Sequence, residues 1–258
     1  MSIIVALSGG KASAWCANYA LENYYKKDVI LYFNDTKWEH PDLYRFLCDL
    51  QKYLNHRIIR DTDGRSPEDL FYEYHAIANN RMPFCSRVLK AERLQRFYKD
   101  GDTLIFGIGL DEQHRADRII QVYQKCAAKT GKFPKLCFPL IEYGIKKKEI
   151  EDWLSIEKIK EPYLYSVGFT HNNCSGGCVR AGKKQWKLLY DTMPHVYMDR
   201  ERLEQEVRKF FNKDISIFKD ETLKDFRGRI ERKELSGHYY NDDKESMLEC
   251  VGICSTMS

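Results

Sequence analysis

The chain lacks a run of about eighteen apolar residues, the length that a membrane-spanning helix requires. Its first residues lead directly into a strand-like segment, so the sequence predicts neither a membrane span nor a signal peptide. An excess of one charge is also missing, since 42 Lys and Arg stand against 38 Asp and Glu. The net charge of +4 permits an anionic substrate but is low for a dedicated duplex-binding protein. We therefore expect a cytoplasmic protein with no membrane partner.

Internal repeats and low-complexity segments are absent as well, and 258 residues suffice for one α/β domain with an appendage or for two small domains. Cysteine, in contrast, is plentiful, with nine residues. In the cytoplasm disulfides rarely persist, so clustered cysteines indicate metal or redox chemistry. Four cysteines are isolated in sequence and are predicted to be small buried side chains: Cys16, Cys48, Cys126 and Cys137.

The N-terminal segment is the strongest functional signal. Five apolar residues, Ile3 to Leu7, predict a buried strand, and Ser8-Gly9-Gly10 predicts a sharp turn into a helix. Such a turn directs backbone N–H groups and the positive end of the helix dipole towards one point, where phosphate binds well. Ser8, Lys11 and Ser13 add hydroxyl and ammonium donors. The alternative is an ordinary strand-to-helix turn.

This segment has neither the Walker spacing Gly-x4-Gly-Lys-Ser/Thr nor the third glycine of a dinucleotide fingerprint. It resembles the Ser-Gly-Gly-x-x-Ser loop of the PP-loop ATP pyrophosphatases, the adenine nucleotide α-hydrolase-like superfamily, and best its phosphoadenylylsulfate (PAPS) reductase-like branch. The resemblance implies an α/β fold, with a parallel twisted, Rossmann-like sheet flanked by helices. It also implies that ATP or a sulfonucleotide binds at Ser8, Gly9, Gly10, Lys11 and Ser13.

A second predicted strand, Asp28 to Phe33, ends in Asn34-Asp35-Thr36-Lys37-Trp38-Glu39. Ligands of open parallel sheets bind beyond the carboxyl ends of the strands, so Asp35 and Thr36 are expected beside the glycine turn. The pattern Asp-Thr-x-x-Glu resembles the corresponding stretch of PAPS reductases, which implies that Asp35 helps to form the adenosine pocket. With ATP as substrate, Asp35 could also assist Mg²⁺. The alternative is a cap for the next helix, predicted from Pro41 to Leu54.

Cys85 opens a predicted basic helix that runs to about Tyr98. The helix dipole and the nearby Arg87 and Lys90 would stabilise its thiolate. PAPS reductase relatives carry a Cys-containing, Arg/Lys-rich stretch here, although this chain has one cysteine where some relatives have two adjacent ones. Cys85 is thus a candidate reactive thiol or cluster ligand, and Arg87 a candidate for an anionic substrate. A buried packing cysteine and a solvated arginine are the alternatives.

The predicted fourth strand, Thr103 to Gly109, precedes an acidic segment that contains His114 and Arg115. Its glycines permit a ligand to approach closely. By the same resemblance, Gly107, His114 and Arg115 belong to the site, while a lone histidine is usually a surface residue. The family's aromatic-Pro-Leu strand end is matched at Phe138 to Glu142, before a helix predicted from Lys146 to Leu154. Five stretches thus follow the family order within about 155 residues.

Beyond Pro162 the composition changes, and we predict a helical, Cys-rich C-terminal region over residues 161–258 after a nucleotide-binding domain over residues 1–160. Two Cys-x3-Cys pairs stand out, Cys174 with Cys178 and Cys250 with Cys254. Each contains glycine, and together they could supply four thiolates to a [4Fe–4S] cluster or to structural Zn²⁺. Reduced thiols on loops, or a reactive thiol at Cys250, are the alternatives.

The resemblance implies an enzyme, a nucleotide-dependent sulfurtransferase or a sulfonucleotide reductase, with Cys85, Lys11, Arg87 and Arg115 as catalytic candidates. A thiol reductant protein is then an expected partner. The basic residues Lys146 to Lys148 and Arg180 to Lys187 could bind tRNA or DNA as sulfur acceptor, although solvated helix charge commonly explains such runs. The second hypothesis is an ATP-binding protein without turnover, with a structural metal site and a regulatory or assembly role.

Overall fold

The computed structural model describes residues 1–235 and contains a five-stranded sheet in which all strands are parallel. The spatial order is β3-β2-β1-β4-β5. The strands are β1 Ile3–Leu7, β2 Val29–Asp35, β3 Ile58–Thr62, β4 Thr103–Phe106 and β5 Lys135–Cys137. Because the chain winds outward in both directions from β1, the strand order reverses between β1 and β4, and a crevice opens there at the carboxyl ends.

Twelve α-helices accompany the sheet within residues 1–235. They are α1 Lys11–Asn23, α2 Pro41–Leu54, α3 Pro67–Glu73, α4 Phe84–Ser86, α5 Glu92–Phe97, α6 Gln113–Thr130, α7 Pro139–Glu142, α8 Lys147–Ile156, α9 Tyr163–Ser166, α10 Lys183–Thr192, α11 Pro194–Phe211 and α12 Leu223–Glu231. A π-helical turn, Arg87–Ala91, joins α4 to α5. Every helix of residues 1–235 is too short or too polar to cross a membrane.

The sheet is covered on both faces, because successive side chains of a strand point to opposite sides. Val5 and Leu31 pack with α1, α2 and α8 on one face. Ile4 and Leu104 pack with α5 and α6 on the other. Strands buried on both faces require continuous apolar runs, which β1 and β4 supply. The predicted fold class, an α/β sheet flanked by helices, is confirmed.

A third core joins the two halves of the chain. Trp38 and Phe84, from the sheet half, share it with Trp186, Tyr197 and Phe226 from the C-terminal helices. Aromatic edge-to-face contacts run through it, with ring centroids 5.8 Å apart between Trp38 and Phe71 and also between Trp186 and Tyr197. The helical region therefore packs directly against the carboxyl-terminal side of the sheet.

Three local expectations differ from the structure. The predicted strand end at Phe138 to Glu142 is wrong, since β5 ends at Cys137 and Pro139–Glu142 is helical. Helix α6 was not predicted. The prediction that Cys48 is buried is also wrong, because the side chain is exposed, whereas Cys16, Cys126 and Cys137 are buried as expected. Each helical residue is rotated by about 100°, and Cys48 follows Leu47, which already lies on the buried face of α2.

Candidate active site at the carboxyl ends of the strands

The glycine loop, Ser8–Ser13, closes on itself through its two serines. The Ser13 hydroxyl accepts the Ser8 N–H at 3.1 Å and donates to the Gly10 carbonyl at 3.0 Å. Gly9 has φ +79°, and a Cβ there would lie 2.6 Å from Leu43 Cδ1, so only glycine fits. Gly10 is the N-cap of α1 in an extended conformation. Two hydroxyls and one positive φ thus set the loop's shape.

The first turn of α1 lies against the end of β4. A Cβ on Gly107 would come within 2.6 Å of the Ser13 backbone nitrogen, so glycine is required for β4 and α1 to pack this closely. In residues 1–235, the backbone N–H groups of Gly9 and Ala12 have no acceptor. Together with the helix dipole, these donors suit an anion in the crevice between β1 and β4.

Lys11 is compensated by carboxylates from distant parts of the chain. Its Nζ lies 2.8 Å from Glu151 Oε1 and 3.1 Å from Glu161 Oε2, and 4.4 Å from the centre of the Tyr165 ring. The Lys11 backbone N–H also donates to the Tyr165 hydroxyl at 3.4 Å. An anionic ligand that bound Lys11 would have to compete with two carboxylates.

Asp35 and Thr36 shape the loop after β2. Asp35 is buried and accepts hydrogen bonds from the Tyr44 hydroxyl at 2.9 Å, the Lys37 backbone N–H at 2.8 Å and the guanidinium of Arg60. The Thr36 hydroxyl donates to Glu39 Oε1 at 3.0 Å. Both side chains are therefore engaged in protein contacts at the place where an adenosine pocket was predicted.

Glu39 connects this loop to two other segments and was not singled out from the sequence. Its side chain has no exposed surface, and Oε1 lies 3.4 Å from Lys90 Nζ of the π-helical turn. Oε2 accepts the Cys174 backbone N–H at 2.7 Å. The only sequence signal was its place in the Asp-Thr-x-x-Glu pattern. A buried carboxylate thus holds the basic helix and the cysteine segment to the end of β2.

The cysteine loop, Asn172–Arg180, docks directly onto the glycine loop. The Asn172 side-chain amide donates to the Gly9 carbonyl at 2.8 Å, and the Ser175 hydroxyl donates to the Trp38 carbonyl at 3.0 Å. Cys174 and Ser175 have φ of 47° and 53°, a left-handed conformation that costs energy in residues other than glycine. Contacts from outside the loop hold this conformation.

Cys174 and Cys178 are buried and their side chains are hydrogen-bonded to each other. As the acceptor from Cys174 and from the Arg180 backbone N–H, the Cys178 thiol has its pKa lowered to about 6. As the donor, Cys174 has its pKa raised, with burial adding to the effect. Adjacent buried sulfur donors suit zinc or iron. Within residues 1–235 no group of three or more His, Cys, Asp or Glu could hold a metal ion, and Cys250 and Cys254 lie outside the described residues.

The remaining candidates lie around this centre. Cys85 is half-buried and packs against the core that contains Cys174 and Cys178, next to the π-helical turn. Such turns are frequent at functional sites. Arg87 lies 3.2 Å from Glu92, and the buried Arg115 pairs with Glu112. His114 is exposed. Four of the lysines considered for nucleic acid form ion pairs: Lys147 with Asp111, Lys148 with Asp152, Lys183 with Glu221 and Lys187 with Asp191.

The match to known families covers most of this geometry. Residues 2–181 match the phosphoadenosine phosphosulfate reductase domain. The chain belongs to this family. The match runs from β1 through the glycine loop, the Cys85 helix and the cysteine loop, so both loops are parts of the PAPS reductase domain. No curated protein sequence and no solved structure matches the chain.

The match confirms the resemblance seen in the N-terminal motifs. PAPS reductase domains bind nucleotide substrates such as PAPS, and the family is generally enzymatic. The matched residues include the first cysteine pair, Cys174 and Cys178, and the match ends before α10. The predicted division of the chain at residue 160 stays a prediction.

Proposed function

We propose that this PAPS reductase-like chain is an enzyme that binds ATP or a sulfonucleotide at the glycine loop and transfers or reduces sulfur beside the cysteine loop. The observation that carries the proposal is the hydrogen bond from the Asn172 side chain to the Gly9 carbonyl. This hydrogen bond joins the glycine loop, which suits phosphate, to the cysteine loop, which bears two buried thiols. A nucleotide on one loop would therefore be adjacent to sulfur chemistry on the other.

The residues supply distinct parts of the reaction. The backbone N–H groups of the glycine loop would bind phosphate or sulfate oxygens, and such fixed donors commonly make the largest contribution to catalysis. Glu39 and Asn172 would hold the cysteine loop in register with the bound nucleotide. With a sulfonucleotide as substrate, a thiolate, for which Cys85 is our candidate, would attack the sulfur atom and displace the nucleotide phosphate, which leaves an S-sulfocysteine. A second thiol, from the expected thiol reductant protein, would then form a disulfide with this cysteine and release sulfite. The position of Cys85 at the start of a basic helix favours the thiolate.

We also propose that Cys174 and Cys178, with Cys250 and Cys254, hold a [4Fe–4S] cluster or Zn²⁺. The contact between the first two buried thiols supports this set. Zinc would tie the C-terminus to the body of the protein, whereas a cluster would supply sulfur or electrons. Thiolate ligation couples metal binding to folding, so loss of one ligand should lower both metal content and stability.

The decisive experiment uses Gly10→Val. Gly10 is extended, with φ −96° and ψ 166°, a backbone conformation that valine also adopts, and we expect the added side chain to hinder the approach of the phosphate. We expect at least about a tenfold loss of ATP or adenylyl sulfate affinity by calorimetry, with thermal stability retained. Equal affinity in the two proteins would place the nucleotide elsewhere. Nucleotide consumption by the parent protein then separates an enzyme from a binding protein without turnover.

Two cysteine variants test the sulfur chemistry. In Cys85→Ser we expect nucleotide binding to persist and sulfur transfer to be lost, because serine keeps the size but not the nucleophile. In Cys178→Ala, prepared without oxygen, we expect lower metal content by elemental analysis and by absorption spectrum. Unchanged transfer in the first variant would remove Cys85 from the mechanism, and full metal occupancy in the second would reject the shared centre.

A further inference from the structure

The segment of residues 118–141 contains no Asp or Glu, although the chain has 38 of these acids in 258 residues. It covers most of α6, the turn that follows and the whole of β5. Five cations fall within it: Arg118, Lys125, Lys129, Lys132 and Lys135. Their charge is available to a partner molecule only if no other segment of the chain neutralises it.

The five cations form no ion pair within residues 1–235. Lys132 Nζ donates to the carbonyls of Gln95 and Tyr98, at 3.5 Å and 3.4 Å, which ties the turn to the end of α5 without cancelling the charge. Elsewhere an equally exposed lysine finds an acid, since Lys147 is 77% exposed and pairs with Asp111. The positive charge of this segment is therefore uncompensated in the described part of the chain.

A further lysine joins this surface from the end of α5. Gln95 Nε2 donates to Cys126 Sγ at 3.2 Å, so the last turn of α5 lies beside Lys125 and Lys129, the residues that flank Cys126 on α6. Lys99 follows one turn after Gln95, is exposed and has no ion pair among residues 1–235. Two segments thus bring their lysines to one place on the surface.

An exposed aromatic ring belongs to the same surface. Phe133 is 65% exposed, and its backbone N–H donates to Asp100 Oδ1 at 2.7 Å, which places it beside Lys99. An exposed ring offers a face on which a nucleic-acid base can stack. The bases of a single strand present such faces, whereas those of a duplex are already stacked on one another. Lysines with an aromatic ring are the combination that binds single-stranded nucleic acid.

The exposed side of α6 extends this surface towards the candidate active site. It carries His114, Arg118, Lys125 and Lys129. At 100° per residue these side chains fall within a sector of about 60°, and the acid of α6, Asp117, lies outside it. Because α6 begins just after the end of β4, the cationic stripe runs for about 22 Å from the carboxyl ends of the strands to the lysines.

We propose that single-stranded nucleic acid binds to this lysine surface, which consists of Lys99, Lys125, Lys129, Phe133 and Lys135. Its phosphates would lie along the lysines, and one base would stack on Phe133. The stripe on α6 would direct one end of the strand to the carboxyl ends of the sheet. An acidic protein would use the charges but would leave the exposed ring without a role. The binding is independent of the glycine loop and goes beyond the proposed function.

The test is fluorescence anisotropy of the full-length protein with labelled oligouridylate and oligothymidylate of about twelve nucleotides. Lys125→Gln and Lys129→Gln, combined in one protein, should weaken binding at least about tenfold at low salt. The slope of log affinity against log salt should become shallower by about 1.4, because each phosphate contact of a single strand contributes about 0.7. Lys52→Gln is the matched control, since Lys52 is also an exposed lysine in the last turn of a helix, and it should bind as the parent does.

A second pair of variants tests the aromatic ring. Phe133→Ala should weaken binding at least about fivefold, the lower end of what one stacked base contributes. The salt slope should stay at the parent's value, because no charge is removed. Phe210→Ala is the control, as Phe210 is 71% exposed on a different helix, and it should leave the affinity unchanged.

The outcomes separate this proposal from its alternatives. Binding of either oligomer that is lost as described supports it, and a preference between the two names RNA or DNA. Parent-like affinity of the folded double-lysine variant would overturn it. Tighter binding of polyglutamate or of phosphatidylserine vesicles than of both oligomers would also overturn it, in favour of an acidic protein or a membrane. Gly10→Val should bind the oligomers as the parent does, so failure of the proposed function leaves this test intact.

Discussion

The glycine loop and the cysteine loop lie in contact but are stabilised in opposite ways. In the glycine loop, the Ser8 and Ser13 hydroxyls satisfy backbone groups within six residues of sequence. In the cysteine loop, the left-handed residues Cys174 and Ser175 depend on Glu39 and the Trp38 carbonyl, more than 130 positions away. The first shape is encoded locally, whereas the second exists only after the chain has folded.

The largest expected effect comes from removing the contact on which the cysteine loop depends. Glu39→Ala removes the buried carboxylate that lies 3.4 Å from Lys90 Nζ and that accepts the Cys174 backbone N–H. We expect the free energy of unfolding to fall by about 3–5 kcal/mol, measured by urea denaturation. Glu92→Ala, which removes a half-exposed partner of Arg87, should cost less than about 1 kcal/mol. Equal losses of unfolding free energy in the two variants would contradict the dependence of the cysteine loop on Glu39.

The helical region behind the cysteine loop should also respond to pH differently from the sheet. Asp61 in β3 has its pKa lowered by hydrogen bonds from Arg93, whereas burial raises the pKa of Glu204 in α11 to about 7. A raised pKa means that the folded state binds the proton more tightly. The stabilisation by Glu204 is therefore complete below about pH 4.5 and is lost as the pH rises through 7.

The measurement is the unfolding free energy of the parent relative to Glu204→Gln, which cannot titrate. This difference should decrease by roughly 3 kcal/mol between pH 4.5 and 8, at about 1.4 kcal/mol per pH unit. The carboxylate accepts the backbone N–H groups of Ile217 and Leu223, which moderates the loss. A difference that stays constant with pH would show that Glu204 titrates normally.

The smallest expected effect concerns the link between the two loops. Asn172→Ala removes the hydrogen bond to Gly9 and should cost about 0.5–1.5 kcal/mol. In the parent, bound nucleotide should change the rate at which Cys174 and Cys178 react with iodoacetamide, and the variant should lose this dependence. Asn18→Ala, whose side chain bonds the exposed Glu22, is the control. If bound nucleotide changed the iodoacetamide rate as much in Asn172→Ala as in the parent, this hydrogen bond would not couple the two loops.

The same contrast explains what the sequence could predict of the fold. Helix α2 has the bounds that the sequence predicts, because apolar spacing and local breakers define it. Helix α6 was missed, although Ala116, Ile119 and Tyr123 recur at helical spacing on its buried face. Its first turn, around Arg115, is polar and follows the acidic residues Asp111 and Glu112. Local sequence patterns therefore predicted a helix correctly where polar residues did not interrupt the apolar spacing.

The site was predictable only where it lies in a contiguous motif. The glycine loop is one such motif, and the family match confirms the resemblance based on it. The contacts of Asn172, Tyr165 and Arg200 pair residues far apart in sequence, and a single sequence carries no signal for such pairs. The four-cysteine metal centre stays a prediction, since two of its ligands lie outside the described residues.

The core shared by the two halves also bears on synthesis of the chain. Trp38, Phe71 and Phe84 are covered by partners that extend to Phe226, almost two hundred residues later in the chain. While the ribosome makes those residues, the completed sheet would present an uncovered aromatic surface. Contacts between residues so distant in sequence form late, and they slow the folding of the whole chain. The nascent protein is therefore expected to need protection from aggregation until its C-terminal helices emerge.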